Sequence, residues 1–340
     1  MAGVDIGIDL GTSSVVIYAS DRGIVLKEPS VIAIDNRIND VIAVGTEAKK
    51  MLGKTHEHIN AIRPLKNGVI NDYMATELML KSFVEKITQK KGVGRVVMPR
   101  IMVCVPSSIT PVERKAVEGA TKQAGAREVF LMEEPIAAAI GSGVDIERPE
   151  GNMIIDIGGG TTDIAVISLG GSVVSQSIKT GGDKFDEAII RYVKKKYNVL
   201  IGEITAERIK KEVGCVYPEG DIRRTKANGR NLMTGLPESI YISSEEIMEA
   251  VEECVQMIIQ AVKSILEITP PELAADVSER GIILAGGGSL IRGLDRRIES
   301  ATLIETRLSD VPVSCVAMGT GMALSYLDVL DQGGSFTKGD

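Results

Sequence analysis

Apolar and polar positions along this chain follow two rhythms. Short unbroken apolar runs, among them Ile101-Met102-Val103-Cys104-Val105, Val129-Phe130-Leu131-Met132 and Ile282-Ile283-Leu284-Ala285, have the length and continuous apolarity of strands buried on both faces. Between such runs, apolar residues recur three and four apart, as at Met74, Leu78, Phe83, Val84 and Ile87, and predict a helix over 72–89. Thr110-Pro111-Val112-Glu113 supplies an N-cap, a proline at the first helical position and a glutamate three after the cap, so a helix should run from there to Gly125. Ser243-Ser244-Glu245-Glu246 opens a long amphipathic helix through Ile268, stopped by Pro270-Pro271. Further helices are expected over 136–141 and 184–197. Strands alternating with helices in this way predict an α/β architecture whose ligands bind at the C-terminal edges of its strands.

One strand-turn-strand pattern occurs twice. Met153-Ile154-Ile155 leads into Asp156-Ile157-Gly158-Gly159-Gly160-Thr161-Thr162-Asp163, and Ile164-Ala165-Val166-Ile167 leads out. Near the start, Ile6-Gly7-Ile8-Asp9-Leu10-Gly11-Thr12-Ser13-Ser14 is followed by Val15-Val16-Ile17-Tyr18. Each copy continues alike: a strand at 15–19, the turn Asp21-Arg22-Gly23 and a strand at 24–27 in the first; a strand at 164–168, the turn Gly170-Gly171 and a strand at 173–178 in the second. Two such meanders imply two similar domains facing each other across a cleft. A hairpin needs one glycine or two, whereas three in succession let backbone N–H groups converge on an anion. Asp9 and Asp156, at their strand ends, would hold a divalent cation directly or through water. Taken alone, the second turn fits a glycine-rich turn of a β protein equally well; its echo favours a phosphate cradle. A third strand-to-glycine turn, Gly286-Gly287-Gly288-Ser289, enters a helix and would wrap a nucleotide's sugar and α-phosphate. The expected division is residues 1–145, with a small subdomain at about 33–64, and 146–330, with a second at about 183–245; residues 331–340 should be a disordered tail.

Two opposed phosphate turns and two strand-end aspartates suit a Mg²⁺-nucleoside triphosphate. Hydrolysis also needs a group that orients water toward the γ-phosphate. Glu134, delivered by the strand at 129–132, and Thr161 are the candidates. Glu134 could instead serve only its own helix N-terminus, worth about 0.3–1 kcal/mol. The site is not of the Walker type, for no GxxxxGK[ST] occurs.

Composition removes several classes. A formal charge of −7 and only 3% aromatic residues, without tryptophan, argue against nucleic-acid binding. Two histidines leave little for histidine-based metal or acid-base chemistry, and His56-Glu57-His58 reads as a solvated loop. Cys104, Cys215, Cys254 and Cys315 are widely spaced in apolar contexts and read as reduced core residues. No apolar run approaches 18 residues, and a first strand near residue 5 leaves no room for a signal peptide, so a cytoplasmic location is expected.

The stretches IDLGTSS at 8–14, MEEPIAAAIGSG at 132–143, DIGGGTTDIAV at 156–166, IKTGGDKFDEAI at 178–189 and ILAGGGSLIRGL at 283–294 resemble the nucleotide-binding motifs of the actin, Hsp70 and sugar kinase superfamily. Within it, VIAVGTEAKKMLGKT, AIRPLKNGVI, VCVPSSIT and ITPPELAADVSERGIILAGGGSLIRGLD are similar to the MreB/Mbl family of bacterial actins, over residues 4–325. The resemblance implies an actin-like (ribonuclease H-like) fold: two similar domains, each a mixed β-sheet flanked by helices, with four subdomains around a nucleotide cleft. It implies ATP, ADP and Mg²⁺ as ligands and slow ATP hydrolysis coupled to assembly. Filaments of the chain itself would lie on the inner face of the cytoplasmic membrane, joined by membrane proteins of the elongation machinery, and would maintain cell shape and guide lateral wall synthesis.

By position, Thr12, Ser13, Ser14, Gly158, Gly159 and Gly160 would hold phosphates; Glu207, Lys210 and Gly286, Gly287, Gly288 and Ser289 would border the nucleoside; and Glu134 and Thr161 match the family's water-positioning pair. Val93, Val96, Val97 and Met98 would form a membrane loop, with weaker hydrophobes than the family often carries, and an amphipathic helix before Asp5 is not expected. Asp163 stands where the family commonly has glutamate. The alternatives are a monomeric phosphotransferase such as a sugar kinase, an Hsp70-like chaperone ATPase, for which no substrate domain follows, and a filament that binds nucleotide without turnover.

Overall fold

The computed structural model describes residues 4–38, 40–88, 98–218 and 220–325, and the backbone of 336–338. The first half runs β1 (Ile6–Leu10), β2 (Ser14–Ala19), β3 (Gly23–Pro29), β4 (Ile32–Asp35), β5 (Asp40–Val44), α1 (Thr46–Met51), β6 (Ile59–Ile62), β7 (Leu65–Lys66), β8 (Val69–Ile70), α2 (Tyr73–Thr88), β9 (Arg100–Val105), α3 (Pro111–Gln123), β10 (Glu128–Glu133) and α4 (Glu134–Gly141). The second runs β11 (Asn152–Ile157), β12 (Thr162–Ser168), β13 (Gly171–Ile178), α5 (Gly182–Tyr197), β14 (Val199–Leu200), α6 (Glu203–Val213), β15 (Arg224–Asn231), β16 (Pro237–Ser243), α7 (Ser244–Ile268), α8 (Pro271–Arg280), β17 (Ile282–Ala285), a 3₁₀ turn (Gly287–Leu290), α9 (Leu294–Thr302), β18 (Thr306–Leu308), α10 (Cys315–Ser325) and β19 (Phe336–Lys338).

Two mixed sheets carry the repeat. The first has the order β19-β10-β9-β1-β2-β3 and the second β13-β12-β11-β17-β18. In each, an antiparallel meander is joined through its first strand to a parallel strand, β9 beside β1 and β17 beside β11. Even the irregularity repeats: pairing slips between Ile17 and Tyr18 in the first meander and between Val166 and Ile167 in the second. A three-stranded sheet, β5-β4-β6, is inserted in the first half and another, β14-β15-β16, in the second.

The outer faces of the large sheets are covered separately. Leu80 and Phe83 of α2 and Val117 and Ala120 of α3 pack on the first, and Phe185, Ile209, Val255 and Ile258 of α5, α6 and α7 pack on the second. Capping boxes form at both expected helix starts, Thr110 with Glu113 and Ser243 with Glu246. The inner faces share a third cluster, in which Met102 and Phe130 of one sheet and Ile154, Ala165 and Ile283 of the other enclose Ile136 and Ala137 of α4 and Val316 and Leu324 of α10. The two helices approach so closely that a Cβ on Gly141 or Gly319 would enter the backbone carbonyl of Cys315 or Ala137. Only glycine admits that separation.

Two expectations about the end of the chain need correction. The second half was expected to continue through residue 330, yet α10 packs on β1, β2, β9 and α4 of the first half. Its sequence is apolar all round, which marks it as buried without saying against what. The tail expected to be disordered contributes Phe336–Lys338, which pairs antiparallel with Phe130, Leu131 and Met132 at the sheet edge. The rest of that tail lies outside the described residues, as do Val93, Val96 and Val97; Met98 is described and is exposed.

Candidate functional site

The two acidic turns meet. Asp9, near the end of β1, lies opposite Val16, and Asp156, near the end of β11, lies opposite Asp163 of β12. The intervening turns, 11–13 and 158–161, face each other so closely that a Cβ on Gly159 would strike Ser13, and one on Gly160 would lie 2.5 Å from Thr12 Oγ1 and 2.9 Å from Asn67 Cα. Gly158 N–H donates to Thr161 O at 2.9 Å and closes the second turn on itself. Between the halves opens a cleft of about 670 Å³, lined by Asp9, the residues of both turns, Glu134, Asp156, Gly286, Gly287 and Gly288. That is ample for a nucleotide.

Three carboxyls line the cleft and a fourth, fully buried, interacts with two of them. Glu134 opens α4, Asp9 and Asp156 lie one residue before the ends of their strands, and Asp163 is fully buried in β12. Burial raises the Asp9 carboxyl to about 7. It holds Asp156 well above the carboxylate range, and Asp9 and Asp163 add to the rise. Glu134 is also held well above its usual range, by burial first and then by Asp163, Asp156 and Asp9. Without a counter-cation these groups resist joint ionisation. Asp156 Oδ1 is buried without a hydrogen-bond partner, and among the described residues no three His, Cys, Asp or Glu side chains group tightly enough to enclose a metal ion. This donor set suits a cation that keeps much of its water, as Mg²⁺ does.

Hydroxyls of the first turn already have protein partners. Thr12 Oγ1 accepts from Gly68 N–H at 2.9 Å, and Ser13 Oγ donates to Asp183 Oδ1 at 3.0 Å. Asp183, at the start of α5, is also paired with Arg63 of the first half at 3.3 Å. A second link crosses the cleft between Lys49 of α1 and Glu207 of α6, at 2.6 Å, and Lys211 binds the other oxygen of the same glutamate. Burial raises the Glu207 carboxyl, but the two lysines outweigh it and hold it at about 2. Lys210 reaches Gly182 O at 2.6 Å and Asp186 at 2.9 Å.

Of the residues expected to bind nucleotide, all but one line the cleft. The exception is Ser289, whose buried hydroxyl turns back to Gly286 O at 2.7 Å within the 3₁₀ turn. Glu207 and Lys210 line the cleft with their charges already matched by protein partners. Sequence reasoning did not single out Lys49, Asp183 or a site role for Asp163. The Lys49–Glu207 pair joins positions 158 apart and leaves no local signal, whereas Asp183 lies within the stretch IKTGGDKFDEAI, directly after two glycines.

Comparison with known proteins follows the same lines. The family model of the MreB/Mbl protein matches residues 3–332. The chain is 50% identical over 326 residues to the cell shape-determining protein Mbl of Bacillus cereus, covering 96% of this chain and 97% of that one. It is also 50% identical over 329 residues to the cell shape-determining protein MreB of Escherichia coli K12, covering 96% and 94%. Among solved structures, MreB5 of Spiroplasma citri bound to ADP superposes with a TM-score of 0.91 at 38% identity, covering 98% and 99%. The MamK double helical filament, at 22% identity and a TM-score of 0.80, covers 95% of this chain and 98% of its own and shares the fold.

Proposed function

This chain belongs to the MreB/Mbl family and is a bacterial actin with the actin-like fold, and on that premise we propose that it binds and slowly hydrolyses ATP while assembling into membrane-associated filaments that maintain cell shape and organise lateral wall synthesis. The observation that carries this reading is the meeting of the two acidic turns, one from each half, over a cleft into which Glu134 and Thr161 both face. The MreB5 structures bound to ADP and AMPPNP support a nucleotide there. We take residues 1–145 together with α10 as the first domain, the rest of the second half as the other, and their three-stranded sheets as the small subdomains.

The residues present fit the ligand. Glycines at 159, 160 and 286 let the turns close up where a Cβ would strike Ser13, Thr12 and Ile157, and the unpartnered Asp156 Oδ1 is an acceptor without a donor. Backbone N–H groups of the second turn, with Thr12, Ser13 and Ser14, would hold phosphates, and the glycines at 286–288 would border the nucleoside. Asp9 and Asp156 would hold Mg²⁺ through its water. A bound Mg²⁺ supplies positive charge against that of the phosphates and lets these carboxyls ionise together. Glu134 accepts a hydrogen bond from the attacking water and turns its lone pair toward the γ-phosphate, while the Thr161 hydroxyl fixes the water's second direction. A phosphotransferase of the sugar kinase type is not favoured, for the relatives at 50% identity are cell shape proteins over nearly their whole length.

Filaments arise from a head-to-tail contact that does not close. Exposed Met98 and the valines before it give one subunit a weak hold on a membrane, since a fully buried side chain of this kind contributes about 1.5–3 kcal/mol; a polymer multiplies that hold. Among the described residues no helix is long and apolar enough to cross a membrane. Sedimentation with Mg-ATP, with and without anionic vesicles, tests this part. The expected result is polymer in the pellet, increased by vesicles, and loss of vesicle binding in an assembly-blocked variant. Equal vesicle binding by that variant would refute dependence on assembly.

A further inference from the structure

Asp163 is an unusual residue to find where it is. It lies in β12, fully buried, within a strand that continues as Ile164-Ala165-Val166-Ile167. One oxygen, Oδ1, accepts the backbone N–H of Ser107 at 3.0 Å. Ser107 belongs to the loop between β9 and α3, so this bond joins the second half to the first. The other oxygen, Oδ2, is buried without a hydrogen bond. Around the carboxylate stand the side chains of Thr161, Ser177 and Glu134.

An unpaired buried carboxylate oxygen costs stability, and asparagine would serve Ser107 N–H without the charge. A carboxyl at this place therefore has a use beyond holding the fold. Its neighbours Glu134 and Thr161 come from opposite halves; packing of α4 on the second sheet brings them near, and a polar group anchored to both halves can set how their side chains are oriented. Asp163 is attached to the second half by the chain and to the first through Ser107.

Resting on the reading of Glu134 and Thr161 as the water-positioning pair, we infer that Asp163 is a positioning residue: anchored to Ser107 N–H, it fixes the Glu134 carboxyl and the Thr161 hydroxyl in the relative orientation in which they hold the attacking water. Hydrolysis then depends on cleft closure, because separating the halves breaks the Ser107–Asp163 bond and dissolves the pair.

A double-mutant cycle on the full chain tests this, with single-turnover phosphate release from Mg-ATP measured beside Mg-ADP affinity and melting temperature for wild type, Asp163→Asn, Glu134→Gln and the double variant. Asp163→Asn keeps the acceptor for Ser107. It should lower release about ten-fold or more while ADP affinity stays within about two-fold. In the Glu134→Gln background it should cost clearly less than in wild type, because only the Thr161 hydroxyl is then left to position. If Asp163→Asn fails to fold, Asp163→Ala, which removes the buried charge altogether, carries the same expectations. Release within two-fold of wild type in an Asp163 variant while Glu134→Gln is impaired would overturn the inference alone, as would losses that multiply. Glu134→Gln hydrolysing like wild type would remove the pair itself, and this inference with it.

Discussion

The two phosphate turns share a topology and differ in how they would bind. The first, Gly11-Thr12-Ser13, works through side chains, and both its hydroxyls are already committed, Thr12 to Gly68 and Ser13 to Asp183. The second, Gly158-Gly159-Gly160, has no side chains and offers backbone N–H groups. Their aspartates differ in the same sense. Asp9 is partly accessible to the cleft, while Asp156 is buried with an unpartnered oxygen. One turn thus carries side chains tied into the links that cross the cleft, and the other is a cradle of backbone. A duplicated unit has kept its strands and divided its chemistry.

The sharpest way to break this comparison is to give the backbone cradle a side chain. A Cβ at Gly159 would strike Ser13, whereas at Gly158 its nearest neighbour would be Thr161 O at 3.5 Å, an ordinary contact. Gly159→Ala should therefore weaken Mg-ATP binding by about 100-fold, and Gly158→Ala by no more than about three-fold, in a fluorescent-nucleotide titration. Equal effects at the two positions would mean that the turns do not meet around the phosphates.

A smaller effect separates the aspartates by pH in nucleotide-free protein. With its carboxyl raised to about 7, folded Asp9 binds a proton that the unfolded chain releases near 4. The native state therefore loses stability as pH rises between those values. Asp9→Asn has no such proton to lose. The two proteins should melt most nearly alike below pH 4, and the variant should melt increasingly higher as pH rises, by several degrees at pH 8. A margin that does not widen with pH would show that Asp9 is not destabilised by its surroundings.

Much of this arrangement was legible in the chain because its carriers are local. Asp9 and Asp156 each follow an apolar run and precede a turn of small residues, so strand, turn and acid are fixed within ten positions. Glu134 was placed by the strand before it and Pro135 after it. What escaped depends on directions or distances that spacing does not encode. Ser289 reads as a nucleotide contact until the 3₁₀ turn directs its hydroxyl to Gly286. Asp163 reads as one more residue entering a strand, and its partner Ser107 lies 56 positions away. The all-round apolar α10 gave no face to orient, so its return to the first sheet depended on the glycine contacts with α4.

The central claim is that each half contributes one member of the pair that acts on water. Single-turnover phosphate release from bound Mg-ATP by wild type, Glu134→Ala and Thr161→Ala tests it most directly. The account predicts that both variants retain nucleotide and that each releases phosphate about 100-fold more slowly. Release within two-fold of wild type by either variant, with nucleotide bound, would contradict it.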